Sequence, residues 1–162
     1  LRREEVLLAR AEAFALTGRY QDALNDLNIW TALRADATEY VYGKHVLYKD
    51  LLLSHYSADL ANEDHFINSR YNASKFTATG DELRFQKALI LAILDARKLE
   101  FLREGIRHFD ILRWFIPVYH ATADGQRSEL TPEDDRRVIQ LPQVVSLSGV
   151  EQNPWSNVGA WY

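Results

Sequence analysis

The residues best suited to chemistry fall in one run, Arg97 to Trp114 (RKLEFLREGIRHFDILRW). Arg97, Glu100, Glu104 and Arg107 are spaced three, four and three residues apart. On a continuous helix they would line one stripe of alternating ion pairs. Arg107, Asp110 and Arg113 carry the alternation onward. A guanidinium can grip a carboxylate with two parallel hydrogen bonds, so such a cluster can sit half-buried and still be satisfied. Gly105 gives the backbone freedom to turn, and Trp114 would close the apolar side. The run is either a ligand site or a charge network that fixes helix register. Paired charges around a glycine hinge already account for every residue type, which favours the network.

A second chemistry is spread through residues 34–82, which are rich in Tyr, His, Asn and Asp. Sugar rings present apolar C–H faces that stack on aromatic rings, and hydroxyls that pair with Asn, Asp and Arg. Tyr40, Tyr42, Asn68, Arg70, Tyr71 and Asn72 have that character. The competing reading is that these side chains pack the segment onto the helices. No metal or cofactor is expected: Glu104, His108 and Asp110 do not make a ligand motif, and His45, His55, His65 and His120 are scattered. There is no Gly-x-Ser-x-Gly turn and no glycine-rich phosphate loop. The pairs Glu63-Asp64 and Asp134-Asp135 are adjacent, whereas glycoside hydrolysis needs carboxylates facing across a cleft. No catalytic residue is therefore assigned, and the chain reads as a binding protein.

The elements that must hold these residues are mostly helical. The 162 residues are 47% hydrophobic, enough for one domain with a core. A net charge of -4 gives no field for nucleic acid. The chain has no Cys, which removes disulfides and thiolate sites. It has no Met, even at position 1, so it reads as part of a longer protein, with any signal or lipid anchor upstream. No run reaches the roughly 20 apolar residues of a membrane span.

Residues 2–16 predict a helix with Leu7, Ala11, Phe14 and Ala15 inward, ended at Thr17-Gly18. A second, about Tyr20 to Leu33, turns Ala23, Leu24, Leu27 and Trp30 inward and must pack antiparallel on the first. Ala11, Phe14, Gly18, Tyr20, Ala23 and Leu27 fit tetratricopeptide spacing, with Phe14 and Tyr20 filling the wedge. One such pair cannot bury its own face, so it needs later helices or further repeats to pack on. A short helix is expected near Lys44 to Leu53, then mostly loop to Gly80 with one short helix near Glu63. A long helix from Glu82 to Arg103, capped by Thr79 or Asp81, turns Phe85, Leu89, Ala92 and Leu99 inward. A last helix from Ile106 to about Phe115 stops before Pro117. Residues 118–162 read as irregular, with short extended runs at Val138–Leu141 and Val144–Leu147. The expected division is 1–33 (helix pair), 34–82 (Tyr-rich insert), 83–116 (two helices) and 117–162 (tail).

The run around Arg97 also resembles the signature of the SusD/RagB family. That pattern is a Glu-Arg pair, then Glu, Glu-Gly-x-Arg, Asp-Leu and Arg-Trp. Arg97, Glu100, Glu104, Gly105, Arg107, Asp110, Arg113 and Trp114 match it. Ala96 stands where Glu is usual, and Ile111 stands in for Leu. The pair starting Glu4-Glu5-Val6-Leu7 is similar to the repeat that precedes the signature in that family. The tail elements Leu141-Pro142 and Gln152-Asn153-Pro154 are similar to its closing motifs. The resemblance implies an all-α, tetratricopeptide-like fold with long loops and an irregular carboxyl-terminal segment. It implies a lipid-anchored protein of the bacterial outer surface, of Bacteroidetes type, that captures glycans or other nutrients. Its partner would be a TonB-dependent, SusC-like transporter. Rival expectations are a tetratricopeptide adaptor binding a peptide in its groove, which would show further repeats near a 34-residue period, and a glycan-processing enzyme.

Overall fold

A computed structural model describes residues 2–34, 46–121, 127–137 and 147–149. Tyr40, Tyr42 and the apolar run Val138–Leu141 lie outside them, as does most of the run Val144–Leu147. The described fold is all-α, with one two-stranded ladder added. In chain order it comprises α1 (Arg3–Leu16), α2 (Tyr20–Ala32), α3 (Lys49–His55), α4 (Ser57–Ala61), α5 (Arg70–Ala73), α6 (Gly80–Glu100) and α7 (Ile106–Arg113). The strands β1 (Val118–Ala121) and β2 (Arg127–Leu130) follow.

The α1–α2 hairpin forms where its residues direct. Gly18 takes φ +78°, the left-handed value that ends a helix. Arg10 joins the two helices by donating to both oxygens of Asp26 at 2.8 Å. The pair then lays its shared face on α6. That burial answers the question of what the single hairpin packs on: a later helix of the same chain. Ala11, Ala15 and Ala23 are fully buried and let the helices approach closely. Leu8, at 0% exposure, takes the inward place expected of Leu7. Tyr20 and Phe14 both pack against the core, with different ring partners. The Tyr20 ring meets Phe85 of α6 edge-on at 5.4 Å, while Phe14 lies under the guanidinium of Arg19 at 4.1 Å.

Helix α6 is the axis of the fold. Its 21 residues, at about 1.5 Å each, run roughly 32 Å. Every residue from Ala88 to Leu94 is buried, the pattern of a helix packed on all sides. Gln86, also fully buried, donates to the carbonyls of Ala15 (2.9 Å) and Leu16 (3.3 Å). It thereby satisfies acceptors that the end of α1 would otherwise leave orphaned. Asn28 grips the segment before α3 in the same way. Its Nδ2 donates to the Leu47 carbonyl (3.0 Å), and its Oδ1 accepts from the Leu47 amide (2.7 Å).

Several boundaries differ from the sequence expectation. Helix α6 spans Gly80–Glu100 rather than 82–103, and Leu99, past its last buried turn, is 69% exposed. Neither Thr79 nor Asp81 caps it: Thr79 occupies the cap position without a side-chain hydrogen bond, and Asp81 lies inside the helix. The short helix begins at Lys49, not near Lys44. The segment expected to be mostly loop holds α4, α5 and a one-turn 3-10 helix, Phe66–Asn68. Just past Pro117, β1 pairs antiparallel with β2, Val118 opposite Leu130. Buried Arg137 pins this hairpin to the helices. Its guanidinium donates to the carbonyls of Ile111, Ile116, Leu130 and Thr131.

Candidate functional site

The run from Arg97 to Trp114 does not form one stripe. Helix α6 stops at Glu100, and both Arg103 (φ +69°) and Gly105 (φ +75°) are left-handed, so the stripe is cut in two. The charges find partners elsewhere. Arg97 reaches across the turn, its Nε donating to both oxygens of Asp110 at 2.9 and 3.1 Å. Asp110 has no exposure and also accepts from Nε and Nη2 of Arg113 (3.1 and 2.8 Å). Arg113 then closes on both oxygens of Glu12 in α1, and the indole Nε1 of buried Trp114 donates to Glu12 at 3.1 Å. Burial works against the charge of Arg113, but the bonds with Glu12 and Asp110 outweigh it and hold its pKa above the ordinary value.

The other carboxylates face the hairpin too. Glu100 accepts from Nε (2.8 Å) and Nη2 (2.5 Å) of Arg34, and from the Trp30 indole at 2.9 Å. The bonds from Arg34 hold Glu100 below the usual carboxylate range. Glu104 pairs with Arg2 at 2.7 Å. Arg107 has no ion pair among the described residues; Nη1 donates to the Leu94 carbonyl (3.2 Å), and burial lowers its pKa. Every paired carboxylate of the run therefore connects α6, α7 or the turn between them to another helix or to a helix end. This is the geometry of a clamp, not of an open cleft.

The Tyr-rich segment separates into two kinds of residue. Asn72 is fully buried, and its Nδ2 donates to the carbonyls of Phe66 (2.8 Å) and Trp114 (2.7 Å). Asn68 donates to the carbonyls of Asp59 (3.0 Å) and Asn62 (2.7 Å) and accepts from Lys87. Both amides are spent on holding their own segment, as buried polar groups must be. Arg70 and Tyr71 stay nearer the surface. The Tyr71 ring stacks on Phe115 at 5.0 Å with the Arg70 guanidinium 4.9 Å from its centroid, and its hydroxyl bonds Glu133. Tyr71 is thus largely engaged already, while Arg70, paired with Glu133 at 2.6 Å, remains 78% exposed.

Three of the concavities among the described residues bear on binding. One, of about 240 Å³, lies between α2, α3 and α6, walled by Trp30, His55 and Tyr56 and by five leucines, with Asp95 at its side and Ala96 in its lining. Tyr56 donates its hydroxyl to Asp95 at 2.9 Å, and burial raises its pKa well above the phenol range. Aromatic walls, a carboxylate and a small lining residue suit a ring with apolar faces and hydroxyl donors. No local pattern announces this site, because its residues come from three separate elements. A second, about 570 Å³, is an apolar groove on α1 and α2 lined by Val6, Leu7, Ile29 and Leu33 with Arg3 and Arg10. A third, about 310 Å³, adjoins the clamp and is lined by Glu5, Ala9, Ala13, Arg97 and Arg113, among others. Among the described residues, no group of three or more His, Asp or Glu is placed to hold a metal ion, and no helix is long and apolar enough to cross a membrane.

Compared with known families, residues 1–140 match the model described as the SusD family. Comparisons with curated proteins and with solved structures gave no match.

Proposed function

The chain belongs to the SusD family, and from that premise we propose that it is a nutrient-binding protein of the bacterial outer surface that captures glycans. In this reading it hands its ligand to a TonB-dependent, SusC-like transporter, and membrane attachment comes through a lipid anchor elsewhere in the parent protein. Capture is non-covalent, with no cofactor and no bond chemistry. The observation that carries the proposal is the family match over 140 consecutive residues.

Two features of the surface support it. The cavity of Trp30, Tyr56 and Asp95 offers stacking faces and a hydrogen-bond acceptor to a sugar ring. Arg70 adds an exposed donor, and with Tyr71, Tyr40 and Tyr42 it completes the contacts assigned to the ligand. Asn68 and Asn72 act behind them as supports. The test is binding of the full-length protein to a panel of glycans, together with co-purification of a transporter from the native membrane. Binding to none of the panel, and no co-purifying transporter, would sink the proposal. The adaptor alternative draws on one observation, the apolar groove of Val6, Leu7, Ile29 and Leu33, which has the form of a helix-binding surface. Peptide binding that is lost in Ile29→Asp, without any glycan binding, would favour it.

A further inference from the structure

Arg97 is the member of the clamp whose guanidinium is only partly spent: besides Asp110 it meets the Phe101 ring, 5.4 Å from the centroid. The Arg97 side chain is only 8% exposed. Its Nε serves Asp110, yet among the described residues neither Nη group has a hydrogen-bond acceptor in the protein. Arg113 differs, because Nε, Nη1 and Nη2 are all committed to Asp110 and Glu12. Among the described residues, no fully buried side-chain nitrogen lacks a partner, so the Nη atoms of Arg97 reach open space. The concavity that Arg97 lines, about 310 Å³ in volume, supplies that space.

Another residue of the lining offers the complementary group. Glu5 lines the same cavity, and no ion pair is formed by its carboxylate among the described residues. Ala9 and Ala13, one and two turns along α1, keep the floor low. A ligand here meets both unspent donors and an unspent acceptor. An anion would pair with Arg97 but face the unpaired carboxylate of Glu5, an opposition that costs binding in a partly buried site, while Glu12 and Arg113, which also line the cavity, neutralise each other. An apolar group would leave the Arg97 Nη donors and the Glu5 carboxylate without partners. A group that both accepts and donates, and carries no charge, satisfies the site.

We infer that this cavity is a second carbohydrate subsite, in which adjacent hydroxyls of a neutral sugar accept from Arg97 and donate to Glu5. The inference rests on the glycan-binding reading and adds a specificity to it: neutral residues are preferred over uronic acids. Methyl glucoside, methyl galactoside and the matching methyl glucuronides are the probes, titrated into the full-length protein and followed by ligand-observed NMR. Substituting Arg97 would break the Asp110 pair, so the variants are placed on the exposed floor and wall. Ala13→Leu fills the cavity while keeping a good helix former. Glu5→Gln keeps the shape and removes the charge. The expected result is saturable binding of at least one neutral glycoside, a loss of about tenfold in Ala13→Leu, and weaker discrimination against the glucuronide in Glu5→Gln. Neutral glycosides that bind both variants as they bind the wild type would overturn the subsite and leave glycan binding elsewhere on the protein intact. Glucuronides that bind as tightly as the neutral glycosides would overturn it as well. Failure of every glycoside and of the glycan panel would remove the underlying reading along with it.

Discussion

Replacing Asp110 by Ala removes the common acceptor of two guanidiniums. The loss is severe because of where they lie. Asp110 has no exposure and Arg97 only 8%, so water does not restore the missing bonds to Arg97 in full. Breaking a buried pair from one side costs about 3–5 kcal/mol. Against a domain stability of about 5–15 kcal/mol this is about a fifth of the total or more. For a chain of this size it lowers the melting temperature by about 6–20 °C. Urea unfolding followed by fluorescence is a direct assay, since Trp114 is buried beside the clamp and bonded to Glu12. The exposed pair Arg70–Glu133 serves as control, with side chains 78% and 65% exposed. Arg70→Ala should change stability by under about 1 kcal/mol. The double variant Arg97→Met with Asp110→Leu, which removes both charges, should recover much of the loss. An Asp110→Ala protein within about 1 kcal/mol of wild type would refute the view that this network holds the helices together.

Gly105→Ala should cost about 1–2 kcal/mol, because φ is +75° there while an added Cβ meets no atom within 4 Å, so the penalty is backbone alone; a thermal melt measures it. Asn72→Ala should destabilise by about 1–3 kcal/mol in the absence of any ligand, since the Phe66 and Trp114 carbonyls lose their donor; unchanged urea stability would instead return Asn72 to the ligand surface. Burial lowers the pKa of His65, whose Nδ1 accepts from the Ile67 amide at 3.4 Å, so the folded state favours neutral imidazole. The unfolded chain then binds more protons below its own pKa of about 6.5, and stability should fall as pH drops through that value toward the folded pKa, with no effect above it. His65→Asn should flatten that limb of the stability–pH curve, and an unchanged limb would assign it to other groups.

The helices with clear period were legible in the sequence. Hairpin α1–α2 and helix α7 start within a residue or two of their expected positions, because strong helix formers, Gly18 and Pro117 mark their limits. Leu99 misled because it continues the apolar period of α6 past the point where anything packs on that helix. The hairpin β1–β2 was invisible, since Val118–Ala121 and Arg127–Leu130 lack the apolar alternation of a half-buried sheet. The run Arg97–Trp114 announced that its charges would be paired but not with what. Spacing reports neighbours on the same helix, whereas Glu12, Arg2 and Arg34 arrive from the far end of the chain. The aromatic cavity was hidden for the same reason.

The bond between Arg113 and Glu12 joins residues 101 positions apart, and that separation governs how the protein comes into being. Contacts this distant in sequence slow folding, because loop closure must precede any reward. During synthesis at about 5–20 residues per second, α1 waits roughly 5–20 s for the residues that will anchor it. Through that interval the hairpin has only its own turn, its Arg10–Asp26 bridge and whatever of α6 has emerged. A chain interrupted before Arg97 would carry α1 with Glu12 unpaired on a face built for burial. The signature run is thus a late requirement of assembly as well as a brace in the finished fold.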